Sequence, residues 1–309
     1  MISFFVSIIF TYFLSYLIIP MLNKYFLIEP NNRSSHIIAK PSGGGLVFVT
    51  LISIFGFLNN LFTPIICYPL AIIGLIDDKY DLKHEYRLVS QIITVIILIN
   101  FSPLNLFLFS SDNIFFFLTT ILAIVFVSTA CINFINFADG LDGLLAGCMI
   151  IIFASVSIYF DLNYWPVVGC LIGFLFLNWH PSKLFMGDVG STFLGSLFLG
   201  VVLQSDNFLD AIKVFLLASP LLGDILITLI RRLLSCKSII IPHKSFYFKR
   251  LNEGKLSHKQ VSLIYMAATL LLCLTFLFGN LYGMLILIFL EFIVLSAIER
   301  KYAIEYNQT

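Results

Sequence analysis

Long apolar runs separated by short polar loops fill this chain from end to end. Most runs approach the 17–25 residues that a helix needs to cross a bilayer. Because several runs are short and one fits a re-entrant segment equally well, the pattern predicts about 10–11 transmembrane helices. The runs cover residues 2–22, 44–62, 63–76, 88–104, 114–131, 144–160, 163–178, 192–204, 211–230, 260–278 and 281–298.

The composition agrees with a membrane protein. Of the 309 residues, 60% are hydrophobic and only 11% are charged, whereas soluble proteins have about 25% charged residues. No long polar segment remains for a separate soluble domain. The predicted fold class is therefore all-α, with a single transmembrane domain over residues 1–309.

The basic residues fall on one side of the predicted bundle. Of the eighteen Lys and Arg residues, only Lys213 lies elsewhere when the N-terminus is placed outside. By the positive-inside rule the basic side is cytoplasmic and the N-terminus is periplasmic. The polar motifs share this side, so an active site is expected in cytoplasmic loops. A transporter would instead place its ionisable groups near the membrane midplane.

The first cytoplasmic loop is a candidate anion site. Arg33, His36 and Lys40 precede three glycines, residues 43–45, which open the next span. Glycines at a helix start leave backbone N–H groups free, and together with basic side chains these suit an anionic group. A basic interfacial loop with a flexible turn accounts for the same residues equally well.

Carboxylates mark the second loop. Asp77 and Asp78 are adjacent at the end of a span. Their mutual repulsion raises a proton affinity or calls for a cation between them. The alternative is a solvated helix end.

The third loop repeats a polar side chain every three residues, at Asn133, Asn136, Asp139 and Asp142. This spacing drifts around a regular α-helix, so the four converge only if the helix tightens or breaks near the following glycines. Converging oxygens suit Mg²⁺, or the hydroxyl and amide groups of a ligand. A polar turn capping two helices is the alternative.

The fourth loop carries an acidic residue between two glycines. This residue, Asp188, can approach a metal-bound phosphate. Phe185 either stacks on a base or anchors the loop at the membrane interface.

The last basic segment contains His243, Lys244 and Arg250, interleaved with aromatic residues. Such a cluster suits phosphates or anionic lipid headgroups.

Three stretches carry a family resemblance: D-D-x-x-D-L from Asp77, N-x-x-N-x-x-D-G-x-D-G-L from Asn133, and N-x-x-P-x-x-x-F-M-G-D-x-G-S from Asn178. With them the chain resembles the polyprenyl-phosphate N-acetylhexosamine-1-phosphate transferases, glycosyltransferase family 4, from about Arg33 to Arg250. The resemblance implies transfer of a sugar 1-phosphate from a UDP-N-acetylhexosamine to undecaprenyl phosphate, with release of UMP, at the cytoplasmic face of the inner membrane. It implies Mg²⁺ as the cofactor, with Mn²⁺ as the alternative. The implied partners are the two substrates and membrane lipid but not nucleic acid, and a homodimer is left open.

The resemblance also assigns roles to residues of this chain. Asp77 and Asp78 would activate or hold the acceptor phosphate, with His243 as a further catalytic residue, and Asp188 and Asp142 would hold the metal. The implied substrate-binding residues are Arg33, His36, Lys40, Asn133, Asn136, Asp139, Asn178, Phe185, Lys244 and Arg250.

The basic segment also departs from the family pattern. The H-R-S-H form of O-antigen and capsule initiators reads His243-Lys244-Ser245-Phe246 here, and the triple histidine of the muramoyl-pentapeptide enzyme is absent. The expected role is the first membrane step of O-antigen, capsule or lipopolysaccharide synthesis. The alternatives are a UDP-N-acetylglucosamine enzyme for enterobacterial common antigen or a teichoic-acid-type linkage, a phospho-N-acetylmuramoyl-pentapeptide transferase, an inactive scaffold and a transporter.

Overall fold

The protein is described by a computed structural model that covers residues 2–29, 39–104, 113–160, 163–238 and 243–306. Within these ranges the helices are α1 (Ile2–Tyr25), α2 (Gly45–Leu58), α3 (Thr63–Tyr80), α4 (His84–Asn100), α5 (Ile114–Phe137), α6 (Leu144–Tyr159), α7 (Trp165–Asn178), α8 (Gly187–Leu203), α9 (Phe208–Leu216), α10 (Ser219–Leu234), α11 (Tyr247–Glu253), α12 (His258–Phe278) and α13 (Leu281–Tyr302). Two short antiparallel strands, β1 (Leu27–Ile28) and β2 (Lys40–Pro41), pair beside the start of α2.

The predicted fold class is confirmed, since the chain is an all-α polytopic membrane protein. Each apolar run coincides with a helix, except that the run at 211–230 is divided between α9 and α10, which meet at 74°. By length and composition, α1, α5, α12 and α13 can each cross a membrane, and the bent pair α9–α10 adds a fifth span if it counts as one. The other runs form helices that are shorter or more polar, so the total of about 10–11 spans stays a prediction.

Helix α8 is the centre of the bundle. All its residues from Val189 to Leu203 are buried, and it packs against α2, α3, α4, α5 and α9. Apolar side chains all round a helix are typical of such a buried position.

The crossing of α3 and α8 is unusually close. A Cβ atom on Gly74 of α3 would lie 2.5 Å from the backbone oxygen of Asp188 at the start of α8. Small residues allow two membrane helices to approach in this way. The crossing therefore brings Asp77 and Asp78, at the end of α3, to the N-terminus of α8.

The polar motifs gather at one end of the bundle. Here α3, α5 and α7 end and α4, α6 and α8 begin, and we call this end the motif face. The loops between these helices are short, which holds the motif side chains close to rigid helix ends.

Candidate active site

The carboxylate of Asp78 caps the first turn of α8. Its Oδ1 accepts a hydrogen bond from the N–H of Asp188 at 2.8 Å, and its Oδ2 accepts one from Val189 at 3.2 Å. A carboxylate at a helix N-terminus satisfies unpaired N–H groups and interacts favourably with the helix dipole. Gly187 has a φ of 73° and lies so close that a Cβ would clash with Asp78 Oδ2, so only glycine suits this position.

Asp77 and Asp188 share one cation. Arg87 Nη1 lies 2.8 Å from Asp77 Oδ2 and 3.7 Å from Asp188 Oδ2. The other oxygen of Asp77 accepts a hydrogen bond from the N–H of Leu82 at 2.8 Å. Two carboxylates therefore lie against a single guanidinium, with the Asp78 carboxylate at the backbone N–H of Asp188, and the Asp188 side chain is still 31% exposed.

A cavity of about 240 Å³ opens beside these carboxylates at the motif face. It brings together seven of the predicted site residues, namely Asp78, Asn136, Asp139, Asp142, Asn178, Phe185 and Asp188. Three separate motifs thus converge on one space, as the resemblance implies.

Asn178 holds two loops together at this cavity. Its Oδ1 accepts a hydrogen bond from the N–H of Gly143 at 3.1 Å, and its Nδ2 donates to the carbonyl of Leu184 at 3.0 Å. The side chain is almost fully buried, so both contacts order the cavity wall. Its amide is therefore committed to the scaffold, although it lines the cavity.

Asp139 is the least constrained carboxylate of the cavity. No described residue donates a hydrogen bond to its side chain, which lines the wall next to Asn136. Burial, together with the negative charges of Asp78 and Asp142, raises the pKa of Asp139 to about 7. This carboxyl is therefore poised to hold or release a proton near neutral pH.

The carboxylate of Asp142 is occupied by neighbouring protein groups. Ser182 donates to it from its hydroxyl at 2.8 Å and from its N–H at 3.1 Å, and His180 Nδ1 lies 2.8 Å from Oδ2. Burial raises the pKa of Asp142, but the hydrogen bonds from Ser182 and His180 outweigh it and lower the pKa overall. Asp142 and Asp188 line the same cavity, and their shared role as metal ligands stays a prediction.

Two histidines that sequence reasoning missed flank Asp142. The rings of His180 and His258 stack with centroids 4.9 Å apart, and the N–H of Asp142 donates to His258 Nδ1 at 3.4 Å. The three side chains could ligate an ion, since their ligand atoms lie within 4.8 Å of one another. Imidazole ligands suit transition metals better than Mg²⁺. Nothing in the spacing of the sequence links His258 to Asp142, which lies 116 residues earlier.

The first loop is only partly described. Arg33 and His36 lie outside the described residues. The ammonium of Lys40 donates to the Ser182 hydroxyl at 2.8 Å and lies 3.6 Å from Asp142, so it helps to hold the cavity wall and is not itself a lining residue.

Two glycine amides of this loop form hydrogen bonds within the chain. The N–H groups of Gly44 and Gly45 donate to the carbonyls of Phe185 and Met186, both at 2.9 Å. The prediction of free amides is therefore wrong for Gly44 and Gly45. Instead they join the start of α2 to the loop that carries Phe185.

Asn133 does not line the cavity. Its carboxamide forms a reciprocal pair with that of Gln91, at 2.9 and 3.1 Å, which ties α5 to α4. The convergence expected for four residues spaced by three therefore holds for three of them, because α5 stays regular through Asn136 and ends at Phe137.

Three predicted residues of the basic segment, His243, Lys244 and Arg250, do not line the cavity. Lys244 forms an ion pair with Glu253. Arg250 is buried, pairs with Glu299 and donates to the carbonyl of Ile304 at 2.6 and 3.1 Å. Both cations therefore hold this segment and the C-terminal tail, and the substrate contacts predicted for them are not supported.

His243 lies outside the cavity lining, and its contact with a phosphate stays a prediction. Burial, together with the positive charges of Arg232 and Lys249, lowers the pKa of His243 to about 4. Its Nδ1 accepts a hydrogen bond from the N–H of Ser245 at 3.2 Å. The ring is therefore neutral at physiological pH and offers no positive charge to a phosphate.

Phe246, which departs from the family pattern, is built into an aromatic cluster. Its ring stacks on Phe137 at 6.1 Å and on Phe248 at 5.6 Å between centroids. Such pairs contribute about 0.5–1.5 kcal/mol beyond the area that they bury. The segment is therefore packed around an aromatic ring at this position.

These features define a class of protein: a helical membrane bundle whose motif loops enclose a carboxylate-lined cavity. The chain belongs to the family described as Glycosyl transferase family 4, which matches residues 60–206 and so includes all three motifs. A probable undecaprenyl-phosphate N-acetylglucosaminyl 1-phosphate transferase of Bacillus subtilis is 31% identical, over 76% of this chain and 72% of the relative.

Other relatives carry related names. A decaprenyl-phosphate N-acetylglucosaminephosphotransferase of Mycobacterium leprae is 28% identical, over 83% of this chain and 77% of the relative. A phospho-N-acetylmuramoyl-pentapeptide-transferase of Clostridium acetobutylicum is 29% identical, over 64% of this chain and 73% of the relative.

Proposed function

We propose that this protein transfers N-acetylhexosamine 1-phosphate from a UDP-sugar to undecaprenyl phosphate, which yields undecaprenyl-diphospho-N-acetylhexosamine and UMP. The observation that carries the proposal is the convergence of Asp78, Asp139 and Asp188 on one cavity, with Arg87 joining Asp188 to Asp77 outside the cavity lining. UDP-N-acetylglucosamine is the first candidate donor, because the Bacillus and Mycobacterium relatives are named for that sugar. The basic residues on the motif face support a cytoplasmic site in the inner membrane.

The cavity residues fit a Mg²⁺ ion. The cavity is lined by the carboxyl groups of Asp78, Asp139, Asp142 and Asp188, and hard divalent cations prefer oxygen ligands. Asp188 would hold the ion, since its side chain is 31% exposed, and Asp78 has lone pairs left for it beyond those that cap α8. When bound, Mg²⁺ would neutralise the diphosphate of the donor and the departing UMP.

The reaction needs no protein nucleophile. A phosphate monoester has a second pKa of about 6, so the acceptor is mostly a dianion at neutral pH. One of its oxygens bonds to the β-phosphorus of the donor, the bond from that phosphorus to the bridging oxygen breaks, and UMP leaves with that oxygen. Asp139 can accept any residual proton from the acceptor, because its pKa is about 7.

Asp77 and Asp78 position other groups in this scheme. Both oxygens of Asp78 accept hydrogen bonds from the N-terminus of α8, and those of Asp77 are taken by Arg87 and Leu82. Attack by either carboxylate on a phosphate would remove the negative charge on which these contacts depend and so weaken them. The arrangement therefore favours direct attack by the acceptor over a phospho-aspartate intermediate.

An apolar groove that reaches the last turn of α5 suits the acceptor's hydrocarbon chain. It has a volume of about 430 Å³ and runs between α5 and the α9–α10 pair. Its walls include Phe126 and Phe134 on α5 and Leu222 and Leu226 on α10. A groove of this kind lets a long isoprenoid lie in the protein while its phosphate reaches the motif face.

UMP release by the purified full-length chain tests the proposal. The assay contains undecaprenyl phosphate, Mg²⁺ and each of a panel of UDP-N-acetylhexosamines, with UDP-N-acetylmuramoyl-pentapeptide included and EDTA as the control. Release with one donor that stops in EDTA supports the proposal and identifies the sugar. A folded protein that releases no UMP with any donor would refute it.

A further inference from the structure

Most of the cations near the cavity are already paired within the protein. Among the described residues, Arg87 pairs with Asp77, Lys40 with Ser182 and Asp142, Lys244 with Glu253, and Arg250 with Glu299. Phosphate binding needs a cation that can turn to the ligand without leaving a buried carboxylate unpaired. Arg87, Lys40 and Arg250 are each held by a buried or half-buried carboxylate, and Lys244, whose partner Glu253 is exposed, does not line the cavity.

Lys249 is different. In the described part of the chain it is the one Lys or Arg side chain that lines the cavity, and no carboxylate lies within ion-pair distance of its ammonium. Its Nζ lies 5.9 Å from the centroid of the Phe246 ring, at cation–π distance. A half-buried ammonium without an anionic partner is a strong donor for a phosphate that enters the cavity.

Aromatic side chains lie between Lys249 and the apolar groove. Phe134 lines the groove, and Phe137 follows it three residues later, about 4.5 Å further along α5. Phe137 stacks on Phe246, and the ring of Phe246 contacts Lys249. A hydrocarbon chain lying in the groove would therefore deliver the group at its end to Lys249.

We propose that Lys249 binds the phosphate of the polyprenyl-phosphate acceptor, at the point where the apolar groove meets the carboxylate-lined cavity. This inference rests on the proposed function and adds a residue that motif reasoning did not single out. The diphosphate of the UDP-sugar carries the same chemistry and is the competing ligand. Kinetics in the two substrates separate these possibilities.

The test compares Lys249→Met, Lys249→Arg and the control Lys255→Met in the UMP release assay. Met keeps the apolar stem of Lys249 without its charge, and Lys255 is an exposed cation on the adjoining loop. We expect Lys249→Met to raise the KM for undecaprenyl phosphate about tenfold or more, which is what one charge-assisted hydrogen bond contributes. The KM for the UDP-sugar should change less than threefold, Lys249→Arg should recover most of the affinity, and Lys255→Met should behave as wild type.

Other outcomes overturn the inference. An unchanged KM for undecaprenyl phosphate in Lys249→Met would do so, and so would a rise confined to the UDP-sugar, which would assign Lys249 to the donor.

A binding measurement keeps the inference testable without turnover. Farnesyl phosphate should raise the thermal unfolding temperature of the wild-type protein and raise that of Lys249→Met much less. Equal shifts would refute the inference even in an active enzyme. The wild-type protein could release no UMP and still be stabilised by farnesyl phosphate more than Lys249→Met is. In that case the proposed function would be wrong, and the phosphate site at Lys249 would be supported.

Discussion

Asp224 is expected to hold the basic segment, and with it Lys249, at the cavity. Its Oδ1 accepts a hydrogen bond from the N–H of Tyr247 at 2.8 Å, and its Oδ2 accepts one from Phe248 at 3.1 Å and one from the hydroxyl of Tyr265 at 2.5 Å. Tyr247 and Phe248 are the first residues of α11, so a carboxylate on α10 caps this helix from outside. The side chain is almost fully buried. It touches neither the cavity nor the groove, so its effect on catalysis is one of positioning.

The size of the effect follows from the donors that Asp224→Ala leaves behind. Two backbone N–H groups and two hydroxyls, those of Tyr265 and Thr228, lose their acceptor, and each unpaired buried donor costs about 1–3 kcal/mol. Helix α11 has seven residues, and it can lower this cost by leaving its site so that water reaches the donors. Even about 3 kcal/mol corresponds to a rise of about 100-fold in the population of the detached segment.

Hydrogen exchange measures this detachment directly. In Asp224→Ala, the amides of a peptide covering residues 243–253 should exchange about 100-fold faster, while those of α8 should keep their rates. The KM for undecaprenyl phosphate should rise with them, because Lys249 leaves the cavity.

Tyr265→Phe provides a graded control, because it removes one hydrogen bond and leaves no N–H unpaired. It should change exchange by about tenfold or less. If Asp224→Ala left both the exchange of this peptide and the KM unchanged, the capping role of Asp224 would be wrong.

Three further predictions test the cavity wall and the scaffold around it. Asp188→Asn should abolish UMP release and leave thermal unfolding nearly unchanged, since its contact with Arg87 is long, at 3.7 Å; an active variant would exclude Asp188 as the metal ligand. Gly187→Ala should lower the free energy of unfolding by at least about 1–2 kcal/mol, measured by denaturant titration, because φ is 73° here; a neutral effect would contradict the close contact with Asp78. Arg250→Met should lower the free energy of unfolding by about 3 kcal/mol, because it leaves Glu299 with one fewer partner. It should not alter the KM of either substrate. A rise in the KM of one substrate alone would show that Arg250 contacts that substrate.

The sequence predicted most of the helices because apolar runs of near-membrane length carry their own signal. The sequence did not predict two features of the fold. The run at 211–230 bends by 74° between α9 and α10. The residue that could have indicated a new helix start is Pro220, which lies in the first turn of α10. Helix α11 has seven residues and only a few apolar side chains, too few for any period to be read.

The site could be predicted as a set of motifs but not as a set of contacts. Asp78, Asp139, Phe185 and Asp188 line one cavity because each lies at the end or the start of a helix that reaches the motif face. Charge patterning placed Arg250 on the correct side but could not reveal its partner Glu299, which lies 49 residues away. A local pattern carries no information on which cation is already paired.

The aspartates of the motifs divide into two groups, and this division explains why the loops contain so many. Asp78 and Asp142 accept hydrogen bonds from backbone N–H groups of distant loops and so fix the shape of the cavity. Asp139 and Asp188 line the same cavity; no described backbone N–H group donates to either carboxyl group, and Asp188 shares a hydrogen bond with Asp77. In a membrane protein with few polar residues, carboxylates that order the loops also add negative charge beside the substrate site. That charge has to be offset by Arg87, Lys249 and a bound cation before two phosphate groups can meet there.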